Sequence, residues 1–290
     1  MTDIQKVIKY CAIAFATILS VYIIGIIVSV VLGIFGIFTF TNVFFNNSNK
    51  NSKSNIETNN VSYLNTFDNV DAINISTDIS KVYIKKGETL KVEAENVTKN
   101  FECNNNSGTL NIKYDENNKF KLFSKSKNNF SAITIYIPEN EKFKNVKIES
   151  GVGNISIDIL NTEKLDLELG VGNLDAENIT SGSTKISGGV GKIVIKDSDI
   201  NNLDLESGVG NIAVNGKITG ETEINGGVGT VKLNINGNKN DYDIAKVEKG
   251  LGSITIDSTN QSEIDNVQST KSNTIKVEGG VGSISINFNK

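Results

Sequence analysis

Three patterns in the chain have spacings that can do chemistry. The first is Gly188-Gly189-Val190-Gly191-Lys192-Ile193-Val194, which approaches the nonapeptide whose stacked Gly-Gly-x-Gly-x-Asp turns hold calcium through the Asp. Here that place is filled by Ile193, and by Ile155, Leu174, Ile212 and Val231 in the equivalent copies. A ligand has become apolar, so calcium in that mode is not expected. The second is Gly-x-Gly after a strand, which opens a dinucleotide fingerprint, but the third glycine is missing and no helical pattern follows. The third is a column of acids two residues before each recurring glycine: Glu149, Glu168, Glu206, Glu248 and Glu278, interrupted by Ser187 and Asn225. Stacked carboxylates equip polysaccharide-cleaving β-helix enzymes, and they can also bind a cation.

The rest of the composition weighs against that chemistry. The chain contains no His, no Trp and no Arg, so all 29 of its basic residues are Lys and no imidazole or guanidinium is available as base or charge clamp. Exposed like charges about 5 Å apart repel by only about 1 kcal/mol in water. The neighbouring column Lys147, Asp166, Lys185, Asp204 alternates in sign and relieves that further. The acids therefore read as a solvated face, and no catalytic, cofactor-binding or metal-ligating residue and no cofactor is expected. The protein is expected not to be an enzyme, with a polysaccharide-active β-helix enzyme as the remote alternative. A net charge of −4 gives no basic face for nucleic acid. Cys11 and Cys103 lie far apart in unlike contexts and imply no disulfide framework.

The glycines belong to a repeat. Gly-Val-Gly begins at Gly151, Gly170, Gly189, Gly208 and Gly227, 19 residues apart each time, then returns as Gly-Leu-Gly at Gly250 and as Gly-Val-Gly at Gly280. Three residues before the first glycine stand Ile148, Leu167, Ile186, Leu205, Ile224, Val247 and Val277. Four after it stand Ile155, Leu174, Ile193, Ile212, Val231, Ile254 and Ile284. The flanking residues alternate apolar and polar, the period of a strand with one buried face. The pattern predicts an all-β chain: a parallel β-helix, or β-solenoid, with coils of about 19 residues, in which successive coils pair and the aliphatic columns stack into one core. Fourteen of the 26 glycines occupy the corners, where coils ~4.8 Å apart leave little room for side chains. The middle residues Val152, Val171, Val190, Val209, Val228, Leu251 and Val281 are expected to form a third column pointing inward. A helical repeat is the alternative, opposed by the missing helical period and by glycines that cost about 1 kcal/mol each in a helix.

Upstream, residues 1–9 form a short polar tail, expected in the cytoplasm. Residues 10–45 carry no charge and are dominated by Ile, Val, Leu and Phe, which predicts one transmembrane helix, with a hairpin as the alternative. Lys6 and Lys9 favour an N-terminus inside and the large domain outside the cell, although Lys50 and Lys53 lie on the other side. Residues 46–66 are a polar tether. From 67 to 145 come irregular strands expected to begin and cap the regular repeats of 146–290, with polar excursions at 113–129, 236–241 and 257–274.

Leu110-Asn111-Ile112, Ile133-Thr134-Ile135-Tyr136-Ile137-Pro138 and Val146-Lys147-Ile148-Glu149-Ser150-Gly151-Val152-Gly153-Asn154-Ile155 resemble the bacterial domain of unknown function labelled "putative adhesin", over residues 67–290. The resemblance implies a repetitive β-strand domain behind an N-terminal membrane segment and carries over no catalytic residues. The expected role is a membrane-anchored adhesin or cell-envelope structural or binding module, whose partners are the membrane and a cell-wall polymer, a surface ligand or another membrane protein. The alternative is an envelope-stress or regulatory component working beside a membrane partner.

Overall fold

The computed structural model describes residues 61–115, 130–264 and 267–289. The expected membrane segment 10–45, tether residues 46–60 and most of the excursion 113–129 lie outside the described residues. No helix among the described residues is long and apolar enough to cross a membrane.

Strands account for most of what is described. They run β1 (Val61–Thr66), β2 (Ala72–Ile79), β3 (Lys81–Gly87), β4 (Lys91–Val97), β5 (Phe101–Asn106), β6 (Thr109–Tyr114) and β7 (Ala132–Pro138) before the regular repeat. The repeat comprises β8 (Phe143–Val152), β9 (Ile155–Ile157), β10 (Leu160–Glu177), β11 (Ile179–Glu206), β12 (Val209–Asn225) and β13 (Val228–Asn236). After a 3-10 turn at Lys239–Asp241 come β14 (Tyr242–Glu248), β15 (Leu251–Ile256), β16 (Thr259–Asn260), β17 (Asn273–Glu278) and β18 (Val281–Asn289).

The 19-residue spacing becomes parallel register. Leu167 pairs with Ile148 on one side and Ile186 on the other, and Leu174 with Ile155 and Ile193. Each pass through the two columns is one rung, stacked on the last. None of the fourteen column residues exceeds 4 % exposure, and each fully buried aliphatic side chain contributes roughly 1.5–3 kcal/mol. The glycines fit the expectation of crowding: a Cβ at Gly170 would lie 2.1 Å from the Gly151 carbonyl oxygen, and one at Gly172, where φ is +150°, 1.6 Å from that of Gly153.

The middle column departs from expectation. Val152, Val171 and Val190 are half-buried without packing on the core, Val209, Val228 and Val281 are 42 %, 49 % and 49 % exposed, and Leu251 is 84 % exposed. The reason is a phase slip. Columns three before and four after the first glycine are seven residues apart, an odd number, so an uninterrupted strand would place them on opposite faces. Both are inside, so the alternation breaks once at the corner, where the second glycine has positive φ in every copy except Gly252. In the first three corners the inward place belongs to the residue before the first glycine: Ser150 is buried, Leu169 packs on the core, and a Cβ at Gly188 would touch Ile193 Cδ1 at 3.2 Å. The middle residue is left outside.

Rung order also differs from chain order at both ends. β2 pairs with β6 and β8, and β3 with β7 and β9, so the rung of β6 and β7 lies outside the earlier one. β12 and β13 pair with β17 and β18, which in turn pair with β14 and β15. The Gly280 corner therefore sits between those of Gly227 and Gly250. These terminal rungs bury the same kinds of residue, Val277 and Ile284 in one and Val247 and Ile254 in the other, so the apolar pattern cannot order them.

Antiparallel strands close the N-terminal end: β4 on β7, β1 on β4 and β5 on β6. β1 takes residues 61–66 out of the expected tether. The Tyr63 ring lies 5.0 Å from that of Phe101, tilted by 59°, and Phe101 lies 6.3 Å from Tyr114, so β1 is tied to the cap by an aromatic cluster. At the other end the excursion 257–274 turns back as β16 and exchanges hydrogen bonds between Ile264 and Val247.

Asp243 latches that excursion. Its Oδ2 accepts from the Thr270 amide (2.7 Å), the Lys271 amide (3.0 Å), Ser269 Oγ (3.0 Å) and Thr270 Oγ1 (3.1 Å), while Lys271 Nζ is 3.1 Å from Oδ1. The Thr270 backbone donor first, then Lys271, holds the carboxyl well below the usual range. A depressed pKa stabilises above the unfolded value of about 4 and loses that effect progressively as pH falls toward the folded value. Asp243→Ala is expected to strip hydrogen-exchange protection from the Thr270 and Lys271 amides at pH 7 while leaving Ile275 protected. Unchanged exchange at 270 and 271 would refute the latch. In the unsubstituted chain their protection should hold from pH 5 to 8 and weaken below about 4.

Candidate functional site

The acidic column lies on the outer face of the strands that carry Ile148, Leu167 and their equivalents, because it is one residue out of phase with them. Its lysine neighbours bridge consecutive rungs. Lys147 Nζ reaches Glu149 at 2.6 Å and Glu168 at 3.0 Å, Lys185 reaches Asp204 at 2.9 Å and Glu206 at 3.4 Å, and Lys246 reaches Glu278 at 2.5 Å and Glu248 at 2.8 Å. Lys276 pairs with Glu221. Donating hydrogen bonds to Glu149 and then Glu168 raises the Lys147 pKa, donating to Glu248 and then Glu278 raises that of Lys246, and Asp204 leads as acceptor for Lys185. Raised lysines keep these contacts to a pH above the ordinary lysine value and lose them only as pH climbs through the folded one. Such pairs, open to water and screened by it, contribute little to stability. The structure thus brings Glu149, Glu168, Glu206, Glu248 and Glu278 onto one face, as the sequence indicates, and places an ammonium group beside each. This arrangement suits a charged lattice better than a general acid, which needs a carboxyl held neutral.

Asp166 stands between Lys147 and Lys185 in register, yet its Oδ1 is buried without a hydrogen-bond partner, because both lysines turn to other carboxylates. Beside the acidic column an open groove of about 550 Å³ runs toward the corner, lined by Asp78, Glu149, Glu168 and the small residues Ser150, Gly151 and Gly170.

Two features escaped the sequence reading. Asn215, Asn234 and Asn287 form an amide ladder across three rungs, with Asn234 donating to Asn215 and Asn287 Nδ2 donating to Asn234 Oδ1 at 3.1 Å. The signal was available, since each stands seven residues after its corner glycine. At the N-terminal end, Lys91 Nζ lies 4.2 Å above the Tyr136 ring, and Tyr136 donates its hydroxyl to Glu93 at 3.1 Å. Cys103 is a free thiol whose pKa burial pushes up to about 11, so it carries little thiolate at neutral pH. Cys11 lies outside the described residues.

The family described as Toastrack DUF4097 matches residues 70–277. Among solved structures, a "putative adhesin" from Bacteroides fragilis is 19 % identical, covering 78 % of this chain and 96 % of its own, with a TM-score of 0.39. A "putative cell adhesion protein" from Clostridium sporogenes is 19 % identical over 79 % and 100 %, with a TM-score of 0.35. A "putative lipid binding protein" from Parabacteroides distasonis is 14 % identical over 81 % and 98 %, with a TM-score of 0.32. No curated protein matches the chain.

Proposed function

The chain belongs to the Toastrack DUF4097 family, and on that premise we propose that it is a membrane-anchored β-solenoid outside the cell, acting as an adhesin-like surface-binding or structural module. The solenoid reading rests on the parallel register of rungs 19 residues apart. The anchor rests on the uncharged run 10–45, long enough for one span. The binding role rests on one observation above the others. The outer face repeats the same charged and polar columns rung after rung, with lysines tied to acids along its length. That is an extended display surface, suited to an equally repetitive polymer or to a broad protein partner.

Protease treatment of intact cells is expected to remove residues 46–290, and crosslinking in living cells to recover wall polymer or an external protein. Digestion only after lysis would overturn the topology. Recovery of a histidine kinase or transporter alone would overturn the binding role in favour of regulation.

A further inference from the structure

The outward-turned middle residues form a ridge. In spatial order Ile79, Val152, Val171, Val190, Val209, Val228, Val281 and Leu251 follow one another in register along one corner. Glycines flank all of them from Val152 onward, so no neighbouring side chain in the same turn covers them; Val152, Val171 and Val190 are half-buried and Val209, Val228, Val281 and Leu251 exposed. Valine and leucine held outside on successive rungs make a continuous apolar strip, the kind of surface that marks an interface.

We propose that this ridge packs against the same ridge of a second copy, the two stacks lying side by side and parallel. The spacing favours that occupant. The ridge repeats once per rung at ~4.8 Å, and only a partner with the same repeat stays in step along its whole length; a second copy has it by construction.

The flanks fix the direction. On one side lies the acidic column, Glu149, Glu168, Glu206, Glu278 and Glu248, with the groove beside it. On the other lie Asn154, Asn173, Lys192, Asn211, Thr230, Ser283 and Ser253, which carry no acid and one lysine. A two-fold axis parallel to the stack sets each acidic flank against the partner's neutral and basic flank, with Asn154, Asn173 and Lys192 facing the acid-lined groove. A perpendicular axis would set the glutamate column, tied to lysines only on the side away from the ridge, against its own copy, and like charges across an interface are unfavourable. The parallel arrangement also puts both copies of Val61 at one end, as two chains in one membrane require. That last point rests on the proposed anchor, whereas the ridge argument does not.

The test uses the full chain in detergent micelles with Cys11→Ala as background, leaving the poorly reactive Cys103 in place. Val152→Cys and Leu251→Cys mark opposite ends of the ridge and are treated separately with a short bis-maleimide. Each variant is expected to link to itself, and Val209→Asp with Val228→Asp, both at exposed positions, to lower the linked fraction by about tenfold or more without changing the melting curve. Absence of self-linking in both folded cysteine variants would overturn the proposal. Linking only when the two are mixed would overturn it in favour of antiparallel packing, and an unaffected linked fraction in the folded double aspartate variant would show that the ridge is not the contact. None of these readouts depends on topology in the cell, so failure of the anchor and failure of the ridge remain separable.

Discussion

Gly189→Val is expected to abolish the folded state of the repeat, while Gly237→Val leaves it close to intact. A Cβ at Gly189 would lie 1.9 Å from the Gly170 carbonyl oxygen and 2.3 Å from that of Leu169. Both are backbone atoms of the preceding rung, fixed by the parallel ladder. No rotamer relieves such an overlap, so the rungs must part, and the columns Leu167–Ile186 and Leu174–Ile193 part with them. The cost exceeds the 4–5 kcal/mol that marks an exceptional substitution. At Gly237 the nearest atom to a new Cβ is the Tyr242 hydroxyl at 3.2 Å, the tip of a side chain. Circular dichroism and thermal unfolding of the two full-length variants provide the measurement, and equal melting would show that the corner does not depend on rung contact. Gly191 extends the argument, since it combines φ of +148° with a Cβ position 1.7 Å from the Gly172 oxygen; even Gly191→Ala should be severe.

The same corner shows what the sequence reveals and what it hides. Periodicity located every glycine pair and both buried columns, because burial of one strand face imposes a period of two and stacking imposes a period of 19. It misplaced the middle valines because composition is blind to a phase slip. Valine suits a strand on either face, and only the path of the backbone through the corner decides which face it takes. It missed the rung exchange because Val247 and Val277, like Ile254 and Ile284, are interchangeable in an apolar column. It found the acidic column but not its pairing, since which lysine reaches which carboxylate depends on rung adjacency rather than on neighbours in the chain. Lys246 bridging to Glu278 across the exchanged rungs is an example.

These considerations converge on a paired comparison four residues apart. Leu205→Ala removes a side chain with 0 % exposure from the centre of the first column. The rigid ladders on either side limit collapse, so a loss of about 2–5 kcal/mol is expected from lost transfer energy and the residual cavity. Val209→Thr replaces a methyl group by a hydroxyl at a position 42 % exposed, keeping the β-branched shape that a strand favours, and should change stability by no more than about 0.5 kcal/mol. The contrast measures the direction of the corner side chain. Had the middle column pointed inward, the threonine hydroxyl would be buried without an assured partner at a cost of about 1–3 kcal/mol, and both substitutions would register as core lesions. Denaturant unfolding of the two variants, at protein concentrations too low for self-association, separates the cases: a large loss at 205 with near-neutrality at 209 requires an apolar ridge that is stable while facing solvent. A loss of several kcal/mol at both positions would return the middle column to the core and leave no ridge for a second copy to meet.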